Sequence, residues 1–450
     1  MSLRPSSQPS AAAPWKTRFF AIWGGQALSL IGSSLTQFVL MWWITSTTGS
    51  AKALSIAGIA VMFPLAVIGP FAGALVDRLD RRLVMIAADT VTALAMLGLV
   101  LLFAGGRVEL WQVYSLMFLR STMQAFQSPA AKASTSLLVP AAHLPRIAGL
   151  NQAMEGVMTM AAAPLGALAL AVLPLQWALL IDVGTAVLGI LPLCLFKLPN
   201  PSSGEAPGSR GADGKKTSPV PEKTPWATVI LADLREGARF IRRHEGLGLA
   251  VALETLVVFI IMPVFSLTPL FVKEHLGGGI EAVAFMELIA GVGIIGGGLL
   301  IGTFGSKARR MPVVLVSFAV ASGTVALTGL VPPGALSLAA FWWFLSGFSY
   351  STGNAPFNAI LQTAVPNAIQ GRVFSLIGAA NAAAIPLGLA ASGFLAEAFG
   401  VRAVYIGAGL LSTIPYFAAI FSPSLRRLGR EPATAAGEAA TADKTEREAV

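Results

Sequence analysis

The sequence has few charged side chains. Asp, Glu, Lys and Arg together make up 12% of its 450 residues, whereas a soluble globular domain carries about 25%. Apolar residues make up 55%. This balance excludes an ordinary soluble enzyme, a disordered chain and a fibrous protein. A helix needs roughly 20 apolar residues to cross a bilayer, so the composition allows about twelve membrane spans.

Cysteine and histidine are also rare. The single cysteine, Cys194, excludes a disulfide within the chain. The three histidines, His143, His244 and His275, lie far apart in polar segments, so we expect no metal site. No phosphate-binding loop, activated serine or catalytic cluster is evident either, and we therefore expect neither a cofactor nor an enzyme.

One glycine-rich run imitates a nucleotide-binding motif. Residues Gly291–Gly296 match the dinucleotide pattern G-x-G-x-x-G, but they lie within an apolar stretch with no preceding strand. Glycines four residues apart instead allow a neighbouring helix to approach closely. We predict that Gly293 with Gly297, and Gly298 with Gly302, form such packing faces.

Long apolar stretches alternate with short polar segments along the chain. Each stretch is long enough to cross the bilayer as a helix, which predicts an all-α membrane protein with twelve transmembrane helices. The predicted spans lie at about 19–45, 53–76, 83–104, 110–136, 147–173, 175–196, 247–271, 281–303, 312–331, 335–360, 371–396 and 402–422.

The one long gap between spans divides the chain in two. It begins with a flexible stretch rich in Pro, Gly, Ser and Lys. An amphipathic segment follows, with Ile230, Leu234 and Ile241 on one face, and we expect it to lie on the membrane surface. The predicted organisation is a six-helix half at 1–197, a cytoplasmic linker at 198–246, a second six-helix half at 247–422 and a disordered cytoplasmic tail at 423–450.

The basic residues mark one side of the membrane. The net charge is +9, and 26 of the 31 Lys and Arg residues fall on the side that carries both termini. Because positive loops stay inside, we expect both termini in the cytoplasm and a multi-pass protein of the plasma membrane. The first apolar run has no cleavage site after it, so we expect it to be retained. The basic excess then reflects topology, and no nucleic-acid partner is expected.

Three pairs of residues indicate an internal repeat. A Val-Pro pair followed by an arginine occurs at Val139–Arg146 and again at Val365–Arg372, with an offset of 226. Arg81 with Arg82 matches Arg309 with Arg310 at an offset of 228, and Pro129 matches Pro356 at 227. The pattern predicts two parallel six-helix repeats, an arrangement found in one large class of membrane proteins.

The loop after the second predicted span carries the most informative motif. It contains Gly-x-x-x-Asp-Arg-x-x-Arg-Arg, which resembles the signature loop of the major facilitator superfamily. We expect the loop to act as a conformational gate. Its glycines would let another helix pack closely, its aspartate would pair with an arginine or a helix N-terminus, and its arginines would anchor the inner surface. The residues are Gly69, Gly73, Asp77, Arg78, Arg81 and Arg82.

Shorter segments narrow the resemblance to a drug-efflux subgroup that includes macrolide exporters. This resemblance implies a secondary transporter that exports a lipophilic small molecule by alternating access and proton antiport, acting as a monomer. Two alternatives stay open: a siderophore exporter of the same fold, and a membrane receptor or scaffold that transports nothing. The segments are Ala21–Gln26, Ala88–Asp89, Phe118–Ser121, Ile181–Val183, Met286–Glu287 and Gly371–Leu376.

Six ionisable residues lie within the predicted spans, where each costs roughly 2.5–3.5 kcal/mol and needs a reason. The resemblance implies that the first, fourth, seventh and tenth spans line a central cavity. Arg120 and Glu254 lie on two of these spans. The full set is Asp89, Arg120, Glu155, Asp182, Glu254 and Glu287.

These charges lead to different expectations. Arg120 supports proton exchange or holds an acidic group, or else forms a structural pair with a neighbouring carboxylate. Glu254 and Glu287 bind a proton, and Glu254 alternatively binds a cationic substrate. For Asp89 and Asp182, on peripheral spans, a structural role is favoured over one in coupling.

Aromatic side chains on the cavity-lining spans form a possible surface for a bulky substrate. Packing against lipid or at the membrane interface is an equal alternative for each. The candidates are Phe38, Trp42, Phe259, Phe265, Trp342 and Trp343.

Overall fold

A computed structural model describes residues 15–76, 79–140, 143–196, 226–304, 311–366 and 369–428. These residues form fourteen α-helices and no β-strand. The helices are α1 (Trp15–Thr48), α2 (Ala51–Val76), α3 (Arg81–Ala104), α4 (Leu110–Leu138), α5 (Leu144–Val172), α6 (Leu175–Leu195), α7 (Trp226–Arg243), α8 (Glu245–Glu274), α9 (Ile280–Phe304), α10 (Met311–Leu330), α11 (Leu336–Ala364), α12 (Gln370–Phe399), α13 (Val401–Ala419) and α14 (Pro423–Leu428).

Within the described residues, ten helices are long and apolar enough to cross a membrane. They are α1–α3, α5, α6, α8–α10, α12 and α13. The other two long helices, α4 and α11, have 29 residues each, which is ample length. They carry more polar side chains, among them Arg120 on α4 and Asn354 on α11. Membrane crossing by these two helices, and the side on which the termini lie, remain predictions.

The repeat seen in the sequence recurs in the helix bounds. α4 and α11 begin 226 residues apart and also end 226 residues apart. Each is followed by a capping valine that precedes a proline, and Val139 and Val365 have almost the same extended backbone, with φ −103° in both. A proline disfavours the helical conformation in the residue before it, which explains why both helices stop there.

Helix packing follows one pattern in both halves. In the first half, α1 packs on α5 and α6, α2 packs on α4, and α3 packs on α4 and α6. In the second half, α8 packs on α12 and α13, α9 packs on α11, and α10 packs on α11 and α13. The halves meet through α2 with α12 and α5 with α9. The protein therefore consists of two matched six-helix repeats, as predicted.

The closest helix pair, α9 and α11, is held by glycines. A Cβ atom at Gly293 or Gly297 would collide with the backbone carbonyl oxygens of Phe344 or Phe348 on α11. This confirms the predicted packing role of that glycine pair. The prediction was wrong for Gly302, which has no neighbouring atom among the described residues within 4 Å of a Cβ position, because it lies near the end of α9.

The two halves are closed against each other at the end opposite the termini. The largest cluster of buried apolar side chains draws on both halves at that end, for example Val39 and Ile44 of α1 with Leu270 and Phe271 of α8. At the terminal end, buried apolar residues form separate clusters, one within the second half and two small ones within the first. Among the described residues, the hydrophobic core therefore joins the halves at the end opposite the termini and not at the terminal end.

Polar contacts reinforce the closed end. Lys52 of α2 pairs with Glu397 of α12 at 2.9 Å, and Ser50 donates a hydrogen bond of 3.3 Å to the same carboxylate. The Nζ atom of Lys273, on α8, donates to the backbone carbonyls of Thr45 and Ser46 on α1 at 2.9 and 3.1 Å. Every one of these contacts joins the first half to the second.

The amphipathic segment forms the predicted helix, α7, and packs against α12 and α8. Ile241 is buried there, and Glu236 pairs with Arg372 of α12 at 2.6 Å. The flexible part of the predicted linker, 197–225, lies outside the described residues. The predicted disordered tail begins too early, because Pro423–Leu428 form α14, whose Leu425 is fully buried. Residues 429–450 lie outside the described part of the chain.

Candidate functional site

A cavity of about 410 Å³ lies between the two halves. Its walls come from α1, α2 and α5 of the first half and from α8, α9 and α12 of the second. The lining is mainly apolar and includes Phe38, Met262 and Phe265. The polar contribution comes from Ser34, Gln37, Ser266 and Glu287. A largely apolar cavity with a few polar groups is typical of a site for a small molecule.

Glu287 is the one acidic residue among the described side chains that line this central cavity. It lies on α9, two turns from the start of the helix at the closed end, and it is half-buried. A carboxylate in an apolar cavity can exchange between charged and neutral forms by taking up a proton. Its position allows it to respond both to protons and to a molecule in the cavity.

Arg120 lies in the first half and pairs with Asp182. Its Nη1 atom is 3.5 Å from Oδ2 of Asp182, which thus joins α4 to α6. Ser33 of α1 donates a 2.9 Å hydrogen bond to the other carboxylate oxygen. Arg120 also lines a cavity of about 160 Å³ within the first half, together with Gln37 and Gln124. Arg120 thus forms the predicted pair with a carboxylate and also reaches a cavity.

Asp89 lies at the centre of a buried polar cluster. Its two carboxylate oxygens accept hydrogen bonds from Gln26 of α1 at 3.0 Å and from Gln127 of α4 at 2.5 Å. Gln26 also donates to the carbonyl of Gly189 on α6. Because Asp89 is on α3, the cluster ties four helices of the first half together. This geometry agrees with the structural role that was favoured for it.

Glu254 lies on α8 in a separate cavity of about 330 Å³ within the second half. Asn381 of α12 donates a 3.2 Å hydrogen bond to its Oε1 atom. Thr255 donates in turn to the amide oxygen of Asn381, also at 3.2 Å. Phe265 and Trp343 line the same cavity. Glu254 and Glu287 thus face different cavities, although both are predicted from the sequence to bind a proton.

The gate-loop prediction expects another helix to pack closely on Gly69 and Gly73. In this conformation, no atom of another helix among the described residues lies within 4 Å of a Cβ position at Gly69 or Gly73, so this contact is not made here. The reason is that α2 meets α12 at its other end, where Gly58 contacts Leu389. Asp77 and Arg78 lie outside the described residues.

The loop arginines hold the start of α3 against its neighbours. Arg81 donates to the carbonyl of Ala133 on α4 at 3.2 Å. Arg82 donates to the carbonyls of Leu193 and Cys194 at the end of α6, at 2.5 and 2.8 Å. An arginine at a helix C-terminus satisfies unpaired carbonyls and interacts favourably with the helix dipole.

The aromatic candidates divide among three environments. Phe38 and Phe265 line the central cavity, and Trp343 lines the cavity of the second half together with Phe265. Trp42 and Trp342 pack against the core at the closed end. Phe259 is half-buried, and its backbone carbonyl lies against Gly388 of α12. The side chain of Glu155 lies outside the described part of the structure.

Sequence reasoning missed the neutral partners of the buried charges. Gln26, Ser33, Gln127 and Asn381 each contact one of the predicted ionisable residues. A search limited to ionisable side chains could not find them. Polar amides within otherwise apolar spans were the available signal, since an amide in a membrane also needs a hydrogen-bond partner.

Two matched six-helix repeats that surround a cavity between them are an architecture of secondary transporters. The chain belongs to the Major Facilitator Superfamily, whose family model matches residues 22–389. It is a multi-pass protein of the cell membrane, as its apolar helices and its relatives indicate.

Relatives cover most of the chain. Macrolide efflux protein A from Streptococcus pyogenes is 31% identical over 399 residues, covering 88% of this chain and 94% of the relative. Macrolide efflux protein A from Enterococcus faecalis is 30% identical over 343 residues, covering 76% and 100%. A bacterial homolog of the human lysosomal transporter Spinster has the same fold, with a TM-score of 0.66, 14% identity and coverage of 93% and 98%.

Proposed function

We propose that this protein exports a lipophilic small molecule, of macrolide-like character, across the cell membrane. The observation that carries the proposal is the central cavity, which is large, mainly apolar and shared by both halves. The relatives named as macrolide efflux proteins support the choice of substrate class. An apolar wall with few polar groups suits a molecule that enters from the membrane.

The way the halves meet supports a transport cycle of alternating access. The proposed cytoplasmic position of the termini makes the closed end the outer end, which corresponds to an inward-facing state. Export requires the contacts at the closed end to break while the opposite ends of the helices approach. The moving units are the six-helix halves at 1–197 and 247–422. Gly69 and Gly73, open in this state, then become available for close packing on the inner side.

Proton antiport is assigned to Glu287. A proton on this carboxylate removes the one acidic charge among the described residues that line the central cavity, and its release restores that charge. Because the same cavity holds the exported molecule, occupancy of the cavity and protonation of Glu287 influence each other. An exchange of substrate for protons requires this mutual influence of substrate binding and protonation.

The test is efflux in membrane vesicles of inverted orientation, with erythromycin as substrate. The wild type is expected to accumulate the drug against a gradient, and an uncoupler should abolish the accumulation. Glu287→Gln should reduce accumulation to the uncoupled level while erythromycin binding persists. Glu281→Gln is the matched control, because Glu281 is exposed at the start of the same helix.

Two results would contradict the proposal. Undiminished accumulation by Glu287→Gln would remove Glu287 from coupling, although export itself would stand. Absence of flux for erythromycin and for a panel of other lipophilic drugs, in vesicles that contain folded protein, would contradict export itself.

A further inference from the structure

The cavity in the second half is a compartment of its own. It measures about 330 Å³, and α8, α9, α10, α11 and α13 form its walls. It adjoins the central cavity, since Met262 and Phe265 line both. Glu254 is the only charged side chain among the described residues that line it. A molecule in the central cavity can therefore extend a part of itself past Met262 and Phe265 into a compartment of negative charge.

The carboxylate of Glu254 is held in place by a hydrogen bond to one of its two oxygen atoms. The chain from Thr255 through Asn381 fixes its Oε1 atom. The Oε2 atom is buried and has no hydrogen-bond partner among the described residues. A buried carboxylate oxygen that lacks a partner is costly, so this atom favours a bound proton donor or cation.

Aromatic rings surround the same end of the compartment. Tyr350 and Tyr416 line it together with Phe318, whose ring centroid is 6.0 Å from that of Tyr350 and 5.3 Å from that of Tyr416. Aromatic faces attract a desolvated cation, and their apolar area accommodates the alkyl groups around an amine. This end therefore has the chemistry that recognises a substituted ammonium group.

The opposite end offers a hydrogen-bond donor. Trp343 is 1% exposed, and its indole Nε1 has no acceptor among the described residues. Its ring centroid lies 5.1 Å from that of Phe265. Buried tryptophan N–H groups usually find a partner, so this donor suits an oxygen atom of a bound molecule.

The helix rise gives the distance between the two ends. Glu254 and Phe265 are eleven residues apart on α8, which corresponds to about 16 Å along the helix axis. Trp343 and Tyr350 are seven residues apart on α11, which corresponds to about 10 Å. A molecule that reaches both ends must place its cation roughly 10–16 Å from its acceptor oxygen.

We propose that this compartment binds the amine-bearing part of lipophilic organic cations, with the ammonium group on Glu254 and an oxygen acceptor on Trp343. The inference rests on the proposed export function and deepens it by naming the substrate class as amphipathic cations rather than lipophilic compounds in general. The remainder of a large substrate lies in the central cavity beyond Met262 and Phe265.

The test is equilibrium binding to the purified full-length protein with a matched pair of probes. Erythromycin carries a protonated dimethylamino group, whereas erythromycin N-oxide keeps the size and shape of the molecule without net charge. The wild type is expected to bind erythromycin about tenfold more tightly or better, since a lost buried charge pair corresponds to at least that factor. Glu254→Gln should bind the two compounds equally, while Glu281→Gln keeps the preference.

A separate variant tests the hydrogen-bond donor, Trp343. Trp343→Phe keeps an aromatic ring at this position and removes the N–H group. It should therefore weaken the binding of both probes by a similar factor and leave the ratio of their affinities unchanged. A change in the ratio instead, or no change in either affinity, would overturn the assignment of Trp343.

Binding of ethidium tests this inference independently of the proposed export of macrolides. It is a lipophilic monocation, and its fluorescence reports binding to an apolar site. Binding that is lost in Glu254→Gln and kept in Glu281→Gln supports the compartment even if the vesicles export no macrolide. Equal affinity of ethidium for the wild type and Glu254→Gln, or no binding of either cation to the folded wild type, would overturn it.

Discussion

Arg120 and Asp182 form an ion pair between α4 and α6, with 3.5 Å between the guanidinium Nη1 and the carboxylate Oδ2. The two partners are not equally buried, since the side chain of Arg120 is 14% exposed and that of Asp182 is 3% exposed. Arg120 reaches a cavity, whereas Asp182 depends on Arg120 and Ser33. Removing Arg120 should therefore affect stability differently from removing Asp182.

Arg120→Gln should destabilise the protein more than Asp182→Asn. It leaves a nearly inaccessible carboxylate without its cation, and breaking such a pair costs about 3–5 kcal/mol. In Asp182→Asn the unpaired arginine can be hydrated from the cavity, so the cost is smaller. The measurement is unfolding in mixed micelles of dodecyl maltoside and SDS. The double variant should regain part of the loss, and purely additive effects would show that the two residues do not interact.

Gln127→Leu should lower the free energy of unfolding by about 1–3 kcal/mol, the cost of a buried polar group that loses its partner. The substitution removes a hydrogen bond to Asp89 and one to Gln26. The same micelle titration measures it. In Gln127→Leu combined with Asp89→Leu the loss should be smaller than the sum of the two single losses, because no unpaired carboxylate remains. Equal stability of Gln127→Leu and the wild type would contradict this account of the cluster.

Gly297→Val should prevent correct assembly of α9 with α11. The valine side chain would overlap the backbone of Phe348, which cannot move away as the end of a flexible side chain could. We expect little folded protein in the membrane, measured as a monodisperse peak after extraction in detergent. Gly302→Val is the matched control on the same helix, because no neighbour among the described residues lies within 4 Å of a Cβ position there. Equal yields of the two variants would contradict close packing at Gly297.

The sequence was sufficient to predict the long helices and their repeat, although not the short α14, because the long helices depend on local properties. Apolar length determines a span, and a proline ends a helix at the same place in each half, as at Val139 and Val365. The packing of Gly293 and Gly297 was also predictable, since small residues four apart lie on one helix face. Such features need only the spacing of residues along one element.

The site was less predictable, because it depends on which elements come together in one conformation. Gly69 and Gly73 have the spacing of a packing face, but the halves meet elsewhere on α2. Glu254 and Glu287 are both acidic residues within spans, and only the fold shows that they line different cavities. The pairing of Lys52 with Glu397 joins residues 345 positions apart, so the sequence contained no local signal for it.

The closed end should open when Lys52 is replaced by glutamate. The side chain would then face Glu397 with like charge, and the contact between α2 and α12 would become repulsive. An exposed pair of this kind contributes about 0.2–1 kcal/mol, so Lys52→Ala should shift the population toward the open end by no more than about fivefold. Lys52→Glu should shift it further, because repulsion is added to the lost attraction.

Distances between two spin labels measure this shift. Labels at Arg107→Cys and Glu281→Cys report on exposed positions at the closed end of each half, and Cys194→Ser removes the single native thiol. Lys52→Glu should increase the population with a long distance between the labels, and the exchange Lys52→Glu with Glu397→Lys should restore the short one. If the exchanged pair behaves like Lys52→Glu alone, the effect does not come from this ion pair, and the contacts of Lys273 with α1 would then be left to hold the closed end.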